Sequence, residues 1–211
     1  MTTAHASAAA VLGTHPWVAQ AALTRVAAGN DGAALLPSPL GIAMLCQQGR
    51  RAFVQTLSDH LTALGHAAPV QWRLCDEWPN AAHAAWLAAL FDQPAVREPT
   101  LLHAQPTADG VALNLRLPLD LAHFDVHFPS LPILPGVVQL AWAQAFAAAR
   151  LGTPAVCRRV DMLKFQRPLR PGDHVCLTLA NQPAQHRLHF TYERAGVECS
   201  SGRLVWETTG E

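Results

Sequence analysis

The sequence predicts an α+β protein in two parts: a small N-terminal α/β subdomain, then an antiparallel sheet wrapped around one long helix. Three observations carry this reading. An apolar, alanine-rich run at about 137–150 has the length and composition of a buried helix. After it, successive stretches of strand-like pattern are separated by turn signals. Before it, residues 93–107 begin "QPAVREPTLLHAQP", with three prolines and no clear periodicity. They read as a linker between residues 15–92 and residues 108–208. At 211 residues the chain is long enough for one large domain or two small ones.

Taken in order, "GRRAFVQTLSDHLTALGH" puts Phe53, Leu57, Leu61 and Leu64 on one helical face, with Gly65 as the stop. "VQWRL" alternates Val70, Trp72 and Leu74 inward as a half-buried strand does, and "AAHAAWLAALF" reads as a short helix. In the second part "VALNLRL" sets Val111, Leu113, Leu115 and Leu117 against Ala112, Asn114 and Arg116. Beyond the long helix, "AVCRRVDMLKFQRPL", "DHVCLTLA", "HRLHFTYER" and "ECSSGRLVWE" read as strands, parted by "RPGD", "ANQPAQ" and "RAG".

Net charge is zero and 14% of residues are charged, so there is no electrostatic footprint for nucleic acid or an anionic membrane. Lys164 is the single lysine beside fourteen arginines, which excludes lysine chemistry before that residue. The five cysteines, Cys46, Cys75, Cys157, Cys176 and Cys199, form no C-x-x-C pair and suggest neither a disulfide framework nor a zinc site. "MTTAHASAAAVLGTHPW" lacks the basic start and long apolar core of a signal peptide, and no apolar run is long enough to span a bilayer. A soluble, reduced, cytoplasmic protein is the expectation.

The stretch "HFPSLPILPGVVQLAWAQAF", residues 127–146, runs from His127 through prolines spaced by three into the helix. On residue types alone, a histidine beside a proline turn is more often a hydrogen-bonded structural residue than a catalyst, and the helix is equally well core. The spacing says more. It resembles the signature G-H-F-P-G-x-P-I-x-P-G-V of hot-dog-fold 3-hydroxyacyl-thioester dehydratases, matching at His127, Phe128, Pro129, Pro132, Ile133, Pro135, Gly136 and Val137. "KFQRPLRPGDHVCL" (164–177) and "CSSGRLVW" (199–206) resemble that family's later strands, in the same order. The subgroup it is most similar to is the aryl-polyene-type dehydratases, which act on carrier-protein-bound thioesters.

The resemblance implies a hot-dog fold and a hydro-lyase without a cofactor, working on acyl-carrier-protein substrates in fatty-acid or aryl-polyene-type synthesis. His127 would be the base that removes the C2 proton, its imidazole being suited to that near neutral pH. The amides of Gly136 and Val137, after Pro135, would bind the thioester carbonyl where the helix terminus carries partial positive charge. Phe128 would line the substrate site. The family also places an Asp or Glu fourteen residues after the histidine, and that position is Ala141. Two family glycines are replaced as well, by Val126 and Ser130. Gln144 is an amide and cannot serve as a general acid. Asp125 would share a face with His127 on an extended strand and could orient the imidazole, although such a residue is more often a solvated surface charge; Asp161 lies outside the motif. Related enzymes build each site across a dimer interface, so the expectation is a homodimer, or a heterodimer with a paralogous dehydratase that supplies the carboxylate. The alternatives are a non-catalytic acyl-binding or stabilising partner and, ranked last, a thioesterase.

Residues 15–92 resemble the C-terminal subdomain of adenylate-forming acyl ligases, through "HPWVAQAALTRV" and "PVQWRLCDEWPNAAHAAWLAALF". The lysine that this subdomain uses is missing from "PNAAHAAW", and His83 is no substitute for a fixed positive charge. A degenerate module kept for packing, dimerisation or carrier-protein docking is implied, with an independent small α/β module as the alternative.

Overall fold

The structure is a computed structural model and describes residues 3–26, 29–80 and 84–206. By its internal packing the chain forms two units, one ending at Arg97 but including Pro118–Pro132, the other comprising Glu98–Leu117 and the residues from Ile133 on.

In the first unit, α1 (Thr3–Gly13) precedes the hairpin β1 (Val18–Arg25) and β2 (Asp31–Pro37). Helix α2 (Pro39–Ala63) then crosses over to β3 (Gln71–Leu74), which pairs parallel with β2, and α3 (Ala84–Asp92) follows. Ser38 starts α2: its side chain accepts the Gly41 amide at 3.1 Å, and Pro39 stands where a helix needs no donor. Phe53, Leu57 and Leu61 are buried with Leu12, Leu35, Trp72 and Leu74 in one core. Two expected inward positions differ. Leu64 is the residue at which the helix ends, so helical spacing no longer directs it, and it is exposed. Val70 precedes the first ladder pair of β3 and is also exposed.

The hairpin was not legible in the sequence, because β2 is covered on both faces. Ala33 and Leu35 enter the core with α2, while Ala34 packs with Leu87 of α3. Burial on both sides erases alternation. The segment Pro118–Pro132, expected within the second domain, groups with this first unit and carries the one-turn helix α4 (His123–Val126).

The second unit contains β4 (Thr100–Thr107), β5 (Gly110–Arg116), helix α5 (Gly136–Leu151), β6 (Arg159–Phe165), β7 (His174–Gln182), β8 (Arg187–Arg194) and β9 (Val197–Val205). The sheet order is β4-β5-β7-β8-β9-β6, with every neighbour antiparallel. Leu113, Leu115, Leu177, Leu179, Phe190 and Tyr192 face the core, and α5 lies against β5 and β7. The helix buries Gln139, Trp142, Ala143 and Ala147, one stripe at helical spacing. It ends at Gly152, whose φ of 66° suits a left-handed cap.

The expected linker over 93–107 is a correction, since Thr100–Thr107 is strand β4. It sits at the sheet edge and is largely exposed, so it shows no apolar alternation and tolerates Pro106. Among the described residues no helix is long and apolar enough to cross a membrane. Residues 207–208, the expected end of the second domain, lie outside the described residues.

Candidate active site

The loop carrying His127 is built by the first unit. Leu119 donates its amide to the Asp76 carboxylate at 3.1 Å, and Ala122 donates to the Val96 carbonyl at 2.8 Å. Asp120 accepts Arg50 Nε at 3.1 Å and Nη2 at 2.8 Å, with Arg73 Nη1 at 3.4 Å. Arg50 Nη2 also donates to the Trp72 carbonyl at 2.7 Å. The chain then turns through α4, burying Phe124, and reaches His127 in extended conformation (φ −143°, ψ 92°). The half-buried His127 ring stacks on Phe128, centroids 4.2 Å apart. Phe128 and Leu131 bond each other's backbone, closing a turn over Pro129 and Ser130.

Asp125 is exposed, as a solvated surface charge is, and it does not share a strand face with His127 because residues 123–126 are helical. Its carboxylate lies 3.8 Å from Arg50 Nε. Burial pushes its pKa above the usual carboxylate value, and Arg50 pulls the other way. An open groove of about 450 Å³ flanks this loop, lined by Arg50, Arg51, Val54, Gln55, Asp125 and Pro129.

The helix start belongs to the second unit. Pro135 is the N-cap, and its carbonyl accepts the Val138 and Gln139 amides at 3.0 and 3.1 Å. The amides of Gly136 and Val137 open the helix, where N–H groups have no intrahelical acceptor and a partial positive charge collects. Such a pair suits a developing oxyanion. A Cβ on Gly136 would stand 2.3 Å from Cζ of Phe165, so a side chain here would displace that half-exposed ring.

Three residues that sequence reasoning missed hold this terminus. The buried Gln139 donates from Nε2 to the Leu134 carbonyl at 3.1 Å, and its Oε1 accepts Ser200 Oγ at 2.5 Å. The Tyr192 hydroxyl donates to the Gln139 carbonyl at 2.9 Å. Burial pushes the Tyr192 phenol far above its ordinary pKa, so it stays a neutral donor. Leu134 is tied in turn to the Leu169 carbonyl at 2.9 Å. The available signals were a glutamine on the apolar stripe of the helix and the only tyrosine in the chain.

The family model of the ApeI-like dehydratases (ApeI dehydratase) matches residues 103–203. Residues 103–203 belong to the hot-dog dehydratase family. A 3-hydroxyacyl-acyl-carrier-protein dehydratase FabZ from Thermomicrobium roseum is 44% identical over 79 residues, covering 34% of this chain and 53% of its own length. The FabZ of Brucella melitensis biotype 2 is 40% identical over 63 residues, covering 26% of this chain and 40% of its own length. The chain thus spans about half, or less, of these curated relatives. The solved structure of the dehydratase heterocomplex ApeI:P from Xenorhabdus doucetiae is 32% identical, covering 51% of this chain and 96% of that one, with a TM-score of 0.48.

Within residues 103–203, the position expected to carry the acid is Ala141, exposed on α5. Gln144 is occupied structurally: its Oε1 accepts the Cys157 amide at 3.0 Å. Asp161 forms a surface pair with Arg159 at 2.7 and 2.9 Å, and that guanidinium holds its pKa below the usual value. Val137, like Val126, Phe128 and Leu131 of the His127 loop, is an exposed apolar side chain. His83 lies outside the described residues.

Proposed function

We propose that the chain is a 3-hydroxyacyl-thioester dehydratase-type protein acting on acyl chains carried by an acyl carrier protein, in fatty-acid or aryl-polyene-type synthesis. Family membership of residues 103–203 carries this reading. His127 removes the C2 proton of the 3-hydroxyacyl thioester, and the Gly136 and Val137 amides stabilise the enolate oxygen. The C3–O bond then breaks, and the hydroxyl leaves as water once protonated, giving the 2-enoyl thioester. Pro135 fixes the helix start that presents those amides, and Phe128 lines the acyl site. Ala141 supplies no proton, so the carboxylic acid comes from a paralogous dehydratase across a dimer interface. The exposed Val126, Phe128, Leu131 and Val137 are side chains that such an interface would bury.

Ala141 equally favours a second reading, a non-catalytic acyl-binding partner that stabilises an active dehydratase. The two separate in a turnover assay with a 3-hydroxyacyl-acyl-carrier-protein substrate, using the chain alone and co-purified with its paralogue. Under the first reading His127→Ala abolishes turnover by the complex, about 100-fold or more, and Ala141→Glu confers turnover on the lone chain. Turnover by the complex that is indifferent to His127→Ala leaves only the partner role. Turnover by the unaltered lone chain that needs His127 would make the acid intrinsic, the imidazolium being the first candidate.

Residues 15–92 are proposed as a degenerate acyl-ligase subdomain without adenylation chemistry, because the required lysine is absent.

A further inference from the structure

We infer that helix α2 is a positioning element for His127, with Gly49 seating the far side of its loop and Arg50 latching the near side. This rests on the reading of His127 as the base. Helix α2 runs from Pro39 to Ala63, yet Gly49 has φ 79° and ψ 166°, far outside helical values. The reason lies in the loop. A Cβ on residue 49 would stand 1.7 Å from the Pro129 carbonyl oxygen, 2.8 Å from its carbon and 3.3 Å from Ser130 Cα. Backbone therefore occupies the break, and no side chain can share it. Positive φ and lack of room independently require glycine here.

The next residue grips the other side. Arg50 binds Asp120 through two nitrogens at 3.1 and 2.8 Å and stands 3.8 Å from Asp125. Consecutive residues of α2 thus fasten the chain before and after His127. A base must be held in register with the proton it takes, so a loose loop lowers the rate at a given substrate occupancy. Gly49 and Arg50 would touch no reacting atom; they act through the loop.

The test uses the full chain with Gly49→Ala and Arg50→Gln, the second leaving the α2 backbone unaltered. The readouts are hydrogen–deuterium exchange of 118–132, the His127 ring resonances by NMR (assigned with His127→Gln), and kcat and KM of the complex with the paralogue. Expected are exchange in 118–132 faster by about tenfold, displaced His127 resonances, and kcat lower by about tenfold with KM little changed. Exchange across β7–β9 stays as in the unaltered chain. Unchanged exchange of 118–132 in Arg50→Gln would overturn the latch, and with it α2 as the element that holds both sides of the loop, and so decides the matter should Gly49→Ala fail to fold. A loosened loop with unchanged kcat would overturn the positioning role. If no chain turns over at all, the dehydratase reading fails, while exchange and the His127 resonances still decide the seat.

Discussion

The His127 loop and the start of α5 are held by opposite kinds of physics. The loop depends on charges at the edge of water, with Arg50 26% and Asp120 9% exposed. The helix start depends on neutral hydrogen bonds inside a core, where Gln139, Tyr192 and Ser200 are buried. Partly buried charge pairs of the first kind keep a response to salt, smaller than that of a surface pair, which neutral bonds lack. Buried neutral bonds contribute about 1 kcal/mol net each, but removing one partner leaves the other unsatisfied at a larger cost. The proposed base thus rides on an adjustable mount and the proposed carbonyl donors on a fixed one.

The largest effect should come from the fixed mount. Gln139→Leu keeps the volume but strands the Ser200 hydroxyl and the Leu134 carbonyl. Stability should fall by roughly 2–4 kcal/mol, read from the urea midpoint followed by a β-sheet signal. Tyr192→Phe should lose only about 1 kcal/mol, because the Gln139 carbonyl still has its helical partner. A Gln139→Leu protein as stable as the original would show that apolar packing alone sets the helix start.

Next comes the latch. Asp120→Asn removes the charge that faces both Arg50 and Arg73, at a cost of about 1–2 kcal/mol at low salt. The gap between Asp120→Asn and the unaltered chain should narrow as salt rises from about 0.1 M to about 1 M. The gap for Gln139→Leu should stay constant over the same range. Equal salt responses would erase the distinction between the two mounts.

The contrast also tracks what was legible in the sequence. Strands β5, β7 and β8 bury the large side chains of one face, so Leu113/Leu115, Leu177/Leu179 and Phe190/Tyr192 show up as period-two alternation. The double coverage of β2 and the exposure of edge strand β4 each remove that signal. Within the site, the His127 motif is local and readable, whereas its mount is not. Arg50 and Asp120 are 70 residues apart, and no spacing rule links them. Gly49 reads as an ordinary helix glycine until the Pro129 carbonyl is found in its place. Asp125 reads correctly as a surface charge, but its shared face with His127 fails because two-residue spacing says "same face" only on a strand, and α4 is helical.

The smallest expected effect concerns pH and bears on the first unit. Burial lowers the pKa of His15 below its ordinary 6.5, and neighbouring His60 adds to the shift. Its Nδ1 accepts the Trp17 amide at 3.2 Å, a role open only to an unprotonated nitrogen. The fold therefore favours the neutral ring. Below pH 6.5 the unfolded chain binds more protons than the folded one, so stability is full above 6.5 and falls as pH drops toward the lowered value. His15→Asn keeps an acceptor for the amide two residues on but removes the titration. Between about pH 7 and pH 5 the variant should lose a few tenths of a kcal/mol less than the unaltered chain, read by urea titration with an α-helical signal. His189 of the second unit is shifted the same way, by burial and then by Arg203 and Arg187, and remains intact in His15→Asn. Acid destabilisation that is identical in both proteins would assign the effect to the sheet unit instead.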